Sequence, residues 1–123
     1  MKSLMSTKVG PPESLELMDT PDPVAGEGEV VIAVKAAGVN FPDALIVEDK
    51  YQFKPERPFA PGGEVAGVIE SVGPGVTHVK IGQRVIGSLG WGGFAEKVKA
   101  PAARVLPIPE AMPFDEASAF ILT

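Results

Sequence analysis

The sequence predicts a mainly β domain, a small barrel or sandwich of short strands with a few short helices. The chain of 123 residues contains 13 prolines and 14 glycines, which interrupt its apolar stretches before a long helix can form. Between these breaks, short segments rich in β-branched residues recur at close spacing, as in small barrels and sandwiches. Because a chain of this length buries a sufficient core without disulfides or a metal, we expect one compact domain.

Four segments have the composition of buried strands. They span residues 29–37, 64–72, 83–89 and 94–100. Two glycine-rich stretches, Gly73-Pro74-Gly75 and Gly90-Trp91-Gly92-Gly93, separate the later segments, and glycine permits the positive φ values of tight turns. The spacing favours antiparallel strands joined by short loops.

Two segments are predicted to be helical, residues 41–48 and residues 114–122. In the second, Asp115 and Glu116 suit the first turn, where carboxylates interact favourably with the helix dipole. This segment is still apolar at Leu122 and has neither a glycine cap nor a basic last turn. We therefore expect residues 1–123 to be a domain that is truncated before a further domain.

Composition excludes several classes of partner and site. The formal net charge is −5 and the charges are interspersed, so we expect no nucleic-acid or membrane partner. The absence of cysteine excludes disulfides, a thiolate nucleophile and a cysteine-based zinc site. The first residues lack the apolar region of a signal peptide, and we predict a cytoplasmic protein that binds a small ligand.

Five motifs in fixed order carry a family resemblance. They are AAGVNFPD at 36–43, PGGEVAGVI at 61–69, VGPGV at 72–76, GQRV at 82–85 and GGFAE at 92–96. Together they resemble the N-terminal GroES-like domain of the medium-chain dehydrogenase superfamily. The resemblance implies a mainly β, partly open GroES-like barrel with short helices, lacking the Rossmann domain that would follow residue 123.

Two positions within these motifs bear on metal binding. Zinc-dependent members of the superfamily place cysteine and histidine where this sequence has Asn40 and Gly63. Neither residue can replace a thiolate or imidazole ligand, so we expect no metal. The N-F-x-D pattern instead resembles the zinc-independent NADPH:quinone oxidoreductases, the zeta-crystallin-like family.

This resemblance implies hydride transfer from NADPH to a quinone or another small electrophilic acceptor. The acceptor would lie between this domain and a Rossmann domain that binds most of the NADPH, and the full-length protein would be a homodimer. The isolated chain would then be inactive. An enoyl or alkenal reductase of the same superfamily and a free-standing GroES-like binding module remain alternatives.

The resemblance also implies site residues. Asn40 and Tyr51 would be catalytic, with Asn40 reaching the nicotinamide ribose or the substrate and Tyr51 donating a hydrogen bond to a carbonyl. Asn40 and Thr123 would contact the cofactor. The substrate cleft would include Phe41, Asp43 and Trp91.

Each of these residues also has a purely structural interpretation. Asn40 could form a turn that ends the preceding strand, and Asp43 could cap the helix that begins beside it. Tyr51 could cover the barrel, and Phe41 and Trp91 could pack in the core. Two further residues are expected to have no direct role in catalysis. Glu64 would support the site from behind, and the single histidine, His78, would lie on an exposed loop.

Overall fold

The chain forms a small antiparallel β domain. The structure is a computed structural model that describes residues 1–50 and 55–118, apart from the side chains of Phe41, Pro42 and Ala44. The strands are β1 (Lys2–Met5), β2 (Glu16–Asp19), β3 (Glu29–Gly38), β4 (Glu64–Val72), β5 (Arg84–Ser88), β6 (Lys97–Pro101) and β7 (Val105–Pro107). The helices are α1 (Phe41–Val47) and α2 (Phe114–Ser118), with 3₁₀ turns at Pro12–Ser14 and Ala102–Arg104.

The strands form two sheets. Five of them hydrogen-bond in the order β6-β3-β4-β5-β7, and β1 pairs with β2 in a separate ribbon. Isolated bridges from Ser3 to Ala95 and from Ser6 to Phe59 attach this ribbon to the rest of the domain. All strand pairs in the described ranges are antiparallel, so this part of the chain contains no parallel βαβ unit.

The long strands β3 and β4 form the centre of the domain because their β-branched and small residues suit a surface buried on both faces. Register shifts after Val31 and after Val34 bend β3 along β4, as β-bulges do in curved sheets. The main core lies on one side of this curved sheet. It contains Val30, Ile32, Val65, Ile69, Val79, Val85, Val98, Ala100, Ala102 and Val105.

A second, smaller cluster holds α2 against the sheet. Ala117 packs on Ala66 of β4 and Ile86 of β5, and three partly buried residues extend the contact: Ile108, Met112 and Phe114. Arg84 ties the same segment to β5, because its Nη2 donates to the Met112 carbonyl at 2.6 Å and its guanidinium lies 3.9 Å from the centre of the Phe114 ring. This packing places Ser118 of α2 beside Gly38 at the end of β3.

The predicted mainly β fold with short helices is confirmed, and several element boundaries are corrected. The strand predicted at 94–100 begins only at Lys97, because Phe94 and Ala95 pair instead with the N-terminal strand. Strands β1, β2 and β7 were not predicted from the sequence. The helix predicted at 41–48 ends at Val47, and of the helix predicted at 114–122 the structure describes Phe114–Ser118.

No helix in the described ranges has the length and hydropathy that a bilayer crossing requires. His78 is exposed on its loop, as expected, and its Nε2 lies 2.9 Å from the Ala102 carbonyl.

Candidate functional site

The candidate site forms where β3 ends and β4 begins. Gly38 and Glu64 are register partners at these adjacent strand ends, and the chain turns from Gly38 through Asn40 into α1. The Asn40 side chain therefore meets Glu64, and its Nδ2 donates to Glu64 Oε1 at 2.7 Å. Glu64 is only 1% exposed, so a buried carboxylate holds the Asn40 amide in one orientation.

Asp43 fixes the start of α1. Its Oδ2 accepts the backbone N–H of Asn40 at 2.8 Å, and its own N–H donates to the Asn40 carbonyl at 3.0 Å. A side chain at the third helical position that reaches back to the N-cap N–H forms half of a capping box. Asp43 therefore performs the capping role that its sequence position suggested.

The environment of Asp43 changes its acidity. Burial raises the pKa of Asp43 above its ordinary value of 3.8, and the charge of Glu64 acts in the same direction. Backbone hydrogen bonds from Asn40, Gly63 and Gly62 partly oppose that effect, because they favour the carboxylate. Burial outweighs these hydrogen bonds, so Asp43 holds its proton to a higher pH than a free aspartate does.

Asn40 and Asp43 line a small depression of about 80 Å³. Its other lining residues are Pro12, Leu15, Val39, Val47, Pro61 and Phe94. The wall is thus apolar except for one amide and one carboxyl group. A dinucleotide needs a pocket several times larger, since ligand sites commonly measure about 300–1,000 Å³. These residues can contact only part of such a ligand.

Two glycines permit the close packing around this depression. A Cβ at Gly63 would lie 3.1 Å from the Leu89 carbonyl oxygen, and a Cβ at Gly38 would lie 2.8 Å from the Ser118 carbonyl oxygen. Both distances are shorter than real Cβ contacts normally allow. Within residues 1–50 and 55–118, no group of three histidine or acidic side chains could hold a metal ion.

The structure separates Trp91 from Asn40 and Asp43. Trp91, which is 42% exposed, lies on the loop between β5 and β6 and lines a different depression of about 490 Å³. Phe41 begins α1, but its side chain is outside the description. Tyr51 and Thr123 lie outside the described residues altogether. Of the residues proposed from the sequence, Asn40 and Asp43 are therefore the ones that the structure brings together.

Sequence reasoning did not identify six side chains of the depression: Pro12, Leu15, Val39, Val47, Pro61 and Phe94. Phe94 belongs to the GGFAE motif, and that motif could have indicated Phe94 as a site residue. Pro12 and Leu15 belong to the least distinctive part of the sequence, and their position depends on long-range pairing of β1 with the Phe94 segment.

Comparison with known proteins places this geometry in a family. Residues 26–110 match the alcohol dehydrogenase GroES-like domain. The chain is 36% identical to the synaptic vesicle membrane protein VAT-1 homolog of Rattus norvegicus, over 99% of this chain and 31% of that protein. It is 39% identical to the quinone oxidoreductase of Mus musculus, over 97% of this chain and 37% of that protein.

A solved structure agrees with these relatives. The quinone oxidoreductase of Escherichia coli complexed with NADPH superposes with a TM-score of 0.93 at 31% identity, over 99% of this chain and 37% of that one. The chain thus spans about a third of the length of the relatives that it matches. The matched residues, the fold and these relatives together show that the chain belongs to the alcohol dehydrogenase GroES-like domain family and is a quinone oxidoreductase-like, medium-chain dehydrogenase domain.

Proposed function

We propose that the chain is the substrate-side domain of an oxidoreductase that transfers a hydride from NADPH to a quinone without a metal ion. The observation that carries this proposal is the Asn40 amide, which buried Glu64 orients beside a depression whose wall is apolar except for Asn40 and Asp43. A relative of known structure that is a quinone oxidoreductase complexed with NADPH supports the same cofactor and acceptor.

The residues of the depression suit a reaction between neutral ring systems. NADPH supplies a hydride when bound, and the hydride together with one proton converts a quinone into a hydroquinone. This chain positions the reactants and places polar groups beside them. Asn40 offers neutral hydrogen-bonding groups at pH 7, while Val39 and Pro61 keep the neighbouring wall apolar.

The donor set argues against a catalytic zinc. Residue 63 has no side chain, and Asn40 carries a neutral amide. Asp43 Oδ2 accepts a backbone N–H. Zinc favours thiolate and imidazole ligands, and these side chains supply neither. The available groups therefore fit a site that works through hydrogen bonds.

The nucleotide-binding surface belongs to a second domain in this proposal. A depression of about 80 Å³ cannot enclose a dinucleotide, and the described strands include no βαβ unit that would place a helix N-terminus at a pyrophosphate. In this proposal residues 1–123 act as one domain of a longer enzyme and are inactive alone. The longer enzyme is proposed to be a homodimer in the cytoplasm. Tyr51 and Thr123 complete the site by donating to the acceptor and contacting the cofactor.

Steady-state kinetics of the full-length protein test the proposal. We expect Asn40→Ala to lower kcat/KM for quinone reduction about tenfold or more, because an oriented hydrogen bond to the bound reactants is lost. Tyr51→Phe should lower it about tenfold to a few hundredfold if its hydroxyl donates to the developing oxyanion. Thr77→Ala, on an exposed loop, is the matched control and should leave the rate unchanged.

Two results would contradict the proposal. One is an Asn40→Ala protein that reduces quinones as fast as the parent. The other is a parent protein that oxidises NADPH with 2-alkenals but with no quinone, which would assign the domain to an alkenal reductase instead.

A further inference from the structure

The depression that Asn40 and Asp43 line is small and mostly apolar, and we call it the Asn40 depression. Its other described lining residues are all apolar: Pro12, Leu15, Val39, Val47, Pro61 and Phe94. Its volume is about 80 Å³. A water molecule takes about 30 Å³ in the liquid, so this space holds about two or three groups of that size. The Asn40 depression therefore has the dimensions of a short alkyl group.

Leu15 reaches the Asn40 depression from a part of the chain that is distant in sequence. It follows the 3₁₀ turn Pro12–Ser14, and its N–H donates to the Pro12 carbonyl at 3.1 Å. Just before this turn, the Gly10 N–H donates to the Val47 carbonyl at 3.4 Å, which ties the turn to the end of α1. Leu15 is half-buried and belongs to neither core cluster. Its side chain can therefore set the size of the depression without being essential to the fold.

The lining of the Asn40 depression disfavours an anionic occupant. The described residues that line it include no lysine, arginine or histidine, and they do include the carboxyl group of Asp43, which is 5% exposed. A phosphate, sulfonate or carboxylate group here would lose its water without gaining a cation as partner, which is unfavourable. A neutral alkyl group instead gains free energy when it leaves water for an apolar wall.

The Asn40 amide relates the depression to the quinone ring. In the proposed function this amide hydrogen-bonds to the bound reactants. A quinone oxygen at the amide has the neighbouring ring carbon close to Asn40, and Asn40 lines the depression. A substituent on that ring carbon therefore extends into the depression.

We propose that the Asn40 depression is a specificity subsite for one short neutral alkyl substituent on the ring carbon next to the quinone carbonyl, and that Leu15 limits the length of this substituent. The inference rests on the proposed function, because it requires the acceptor to meet Asn40. It narrows the acceptor class from quinones in general to neutral quinones that carry a short alkyl group.

Relative rates with matched quinones test the subsite in the full-length protein. The substrates are 1,4-naphthoquinone and its 2-methyl, 2-hexyl and 2-sulfonate derivatives. Alkyl chains of different length have almost the same electronic effect on the ring, so the ratio of the hexyl to the methyl rate reports on fit. We expect kcat/KM for the methyl compound to exceed that for the hexyl compound about tenfold or more, since the longer chain does not fit. The sulfonate should be reduced more slowly than the methyl compound, although it withdraws electrons and makes the ring easier to reduce.

Substitutions of Leu15 should change these ratios in opposite directions. Leu15→Ala widens the depression and should raise the hexyl-to-methyl ratio of kcat/KM about tenfold. Leu15→Trp fills the depression and should lower the ratio of the methyl compound to unsubstituted 1,4-naphthoquinone. Both variants should keep the parent's rate with 1,4-naphthoquinone and its KM for NADPH. Leu17→Ala and Leu17→Trp make the same changes at a residue that is 70% exposed and outside the described lining, and should behave as the parent.

The outcomes separate this inference from the proposed function. A parent protein that reduces no quinone would overturn both. Quinone reduction with the same hexyl-to-methyl ratio in the parent and in Leu15→Ala would overturn the inference alone. So would efficient reduction of the sulfonate by the parent, or Leu15 variants that change KM for NADPH and no quinone ratio. Leu15→Ala is the deciding variant, because it adds no bulk that the fold must accommodate.

Discussion

The buried carboxylate of Glu64 fixes the orientation of the Asn40 amide. Glu64 accepts one amide hydrogen of Asn40, and Asn40 also lines the small depression. An exposed asparagine would rotate freely and would lose more entropy on binding a ligand. We assign to Glu64 the role of fixing the Asn40 side chain before a ligand binds. Glu64 positions Asn40 and does not itself line the described depression.

Glu64→Gln tests this contribution at the level of stability. A glutamine keeps an oxygen acceptor but loses the charge that strengthens the hydrogen bond, so we expect the free energy of unfolding to fall by about 1–3 kcal/mol. Urea denaturation measures the change. Glu27→Gln, at an exposed glutamate, is the control and should have little effect. Identical unfolding curves for the parent and Glu64→Gln would remove the basis for this role.

Asp43 makes stability depend on pH in a defined direction. Its pKa is raised in the folded chain, so between 3.8 and the folded value the native state holds a proton that the unfolded state has lost. Stability from this group is therefore greatest below the unfolded pKa and falls as pH rises through the folded pKa. The main cause is burial, which penalises the charged carboxylate.

Asp43→Asn removes this titration while keeping an oxygen that can accept the Asn40 N–H. We expect the parent chain to lose stability relative to Asp43→Asn as the pH is raised from about 3 to 7. Urea denaturation of both proteins across that range gives the comparison. A difference that stays constant, or that changes in favour of the parent at high pH, would mean that burial does not control this carboxyl group.

At the scale of elements, Arg84 holds α2 against the sheet. It donates to the Met112 carbonyl and stacks on Phe114, although its Nε finds no partner in the described part of the chain. Ser118 of α2 packs on Gly38, so this anchor also supports the Asn40 site.

Arg84→Met keeps an apolar side chain but removes the hydrogen bond and the cation–π contact. We expect a loss of about 1–3 kcal/mol in unfolding free energy and faster amide hydrogen exchange within Phe114–Ser118. Lys35→Met is the control, because Lys35 is exposed on β3. Exchange in α2 that is unchanged by Arg84→Met would show that apolar packing alone holds the helix.

The elements that sequence predicts well are those with local signals. Strand β4 has the bounds predicted for residues 64–72, because a segment rich in β-branched and small residues, buried along most of its first six positions, lies between glycine-rich turns. Strands β1 and β2 have no such pattern. Their pairing, Lys2 with Asp19 and Ser3 with Met18, depends on contacts between distant residues, which local periodicity does not report.

The site also depends on contacts between distant residues, which local sequence patterns do not report. Motif resemblance selected Asn40, and α1 follows it as expected. The hydrogen bond between Asn40 and Glu64 depends on the register of β3 against β4, with Gly38 opposite Glu64, and that register is a tertiary property. Trp91 was predicted to line the substrate cleft, and the structure places it on the β5–β6 loop, in a depression that shares no described residue with the Asn40 depression.

At the scale of the whole molecule, the domain supplies part of a site. The polar groups of the small depression are fixed by neighbours within the chain, yet the depression is too small to enclose a dinucleotide and an acceptor. The chain spans about a third of the length of its curated relatives. We therefore propose that this domain orients the acceptor and that a second domain binds most of the NADPH.

The central claim is metal-independent hydride transfer from NADPH to a quinone, and the most direct test measures turnover and metal content in one sample. The protein to use carries residues 1–123 joined to the nucleotide-binding domain proposed to follow them, after dialysis against a chelator. We predict one NADPH consumed per quinone reduced, at a rate that added zinc does not change, with zinc far below one per chain. Residues 1–123 alone should show no NADPH oxidation. Activity that is lost with the metal and restored by zinc, or steady quinone reduction by residues 1–123 alone, would contradict the account.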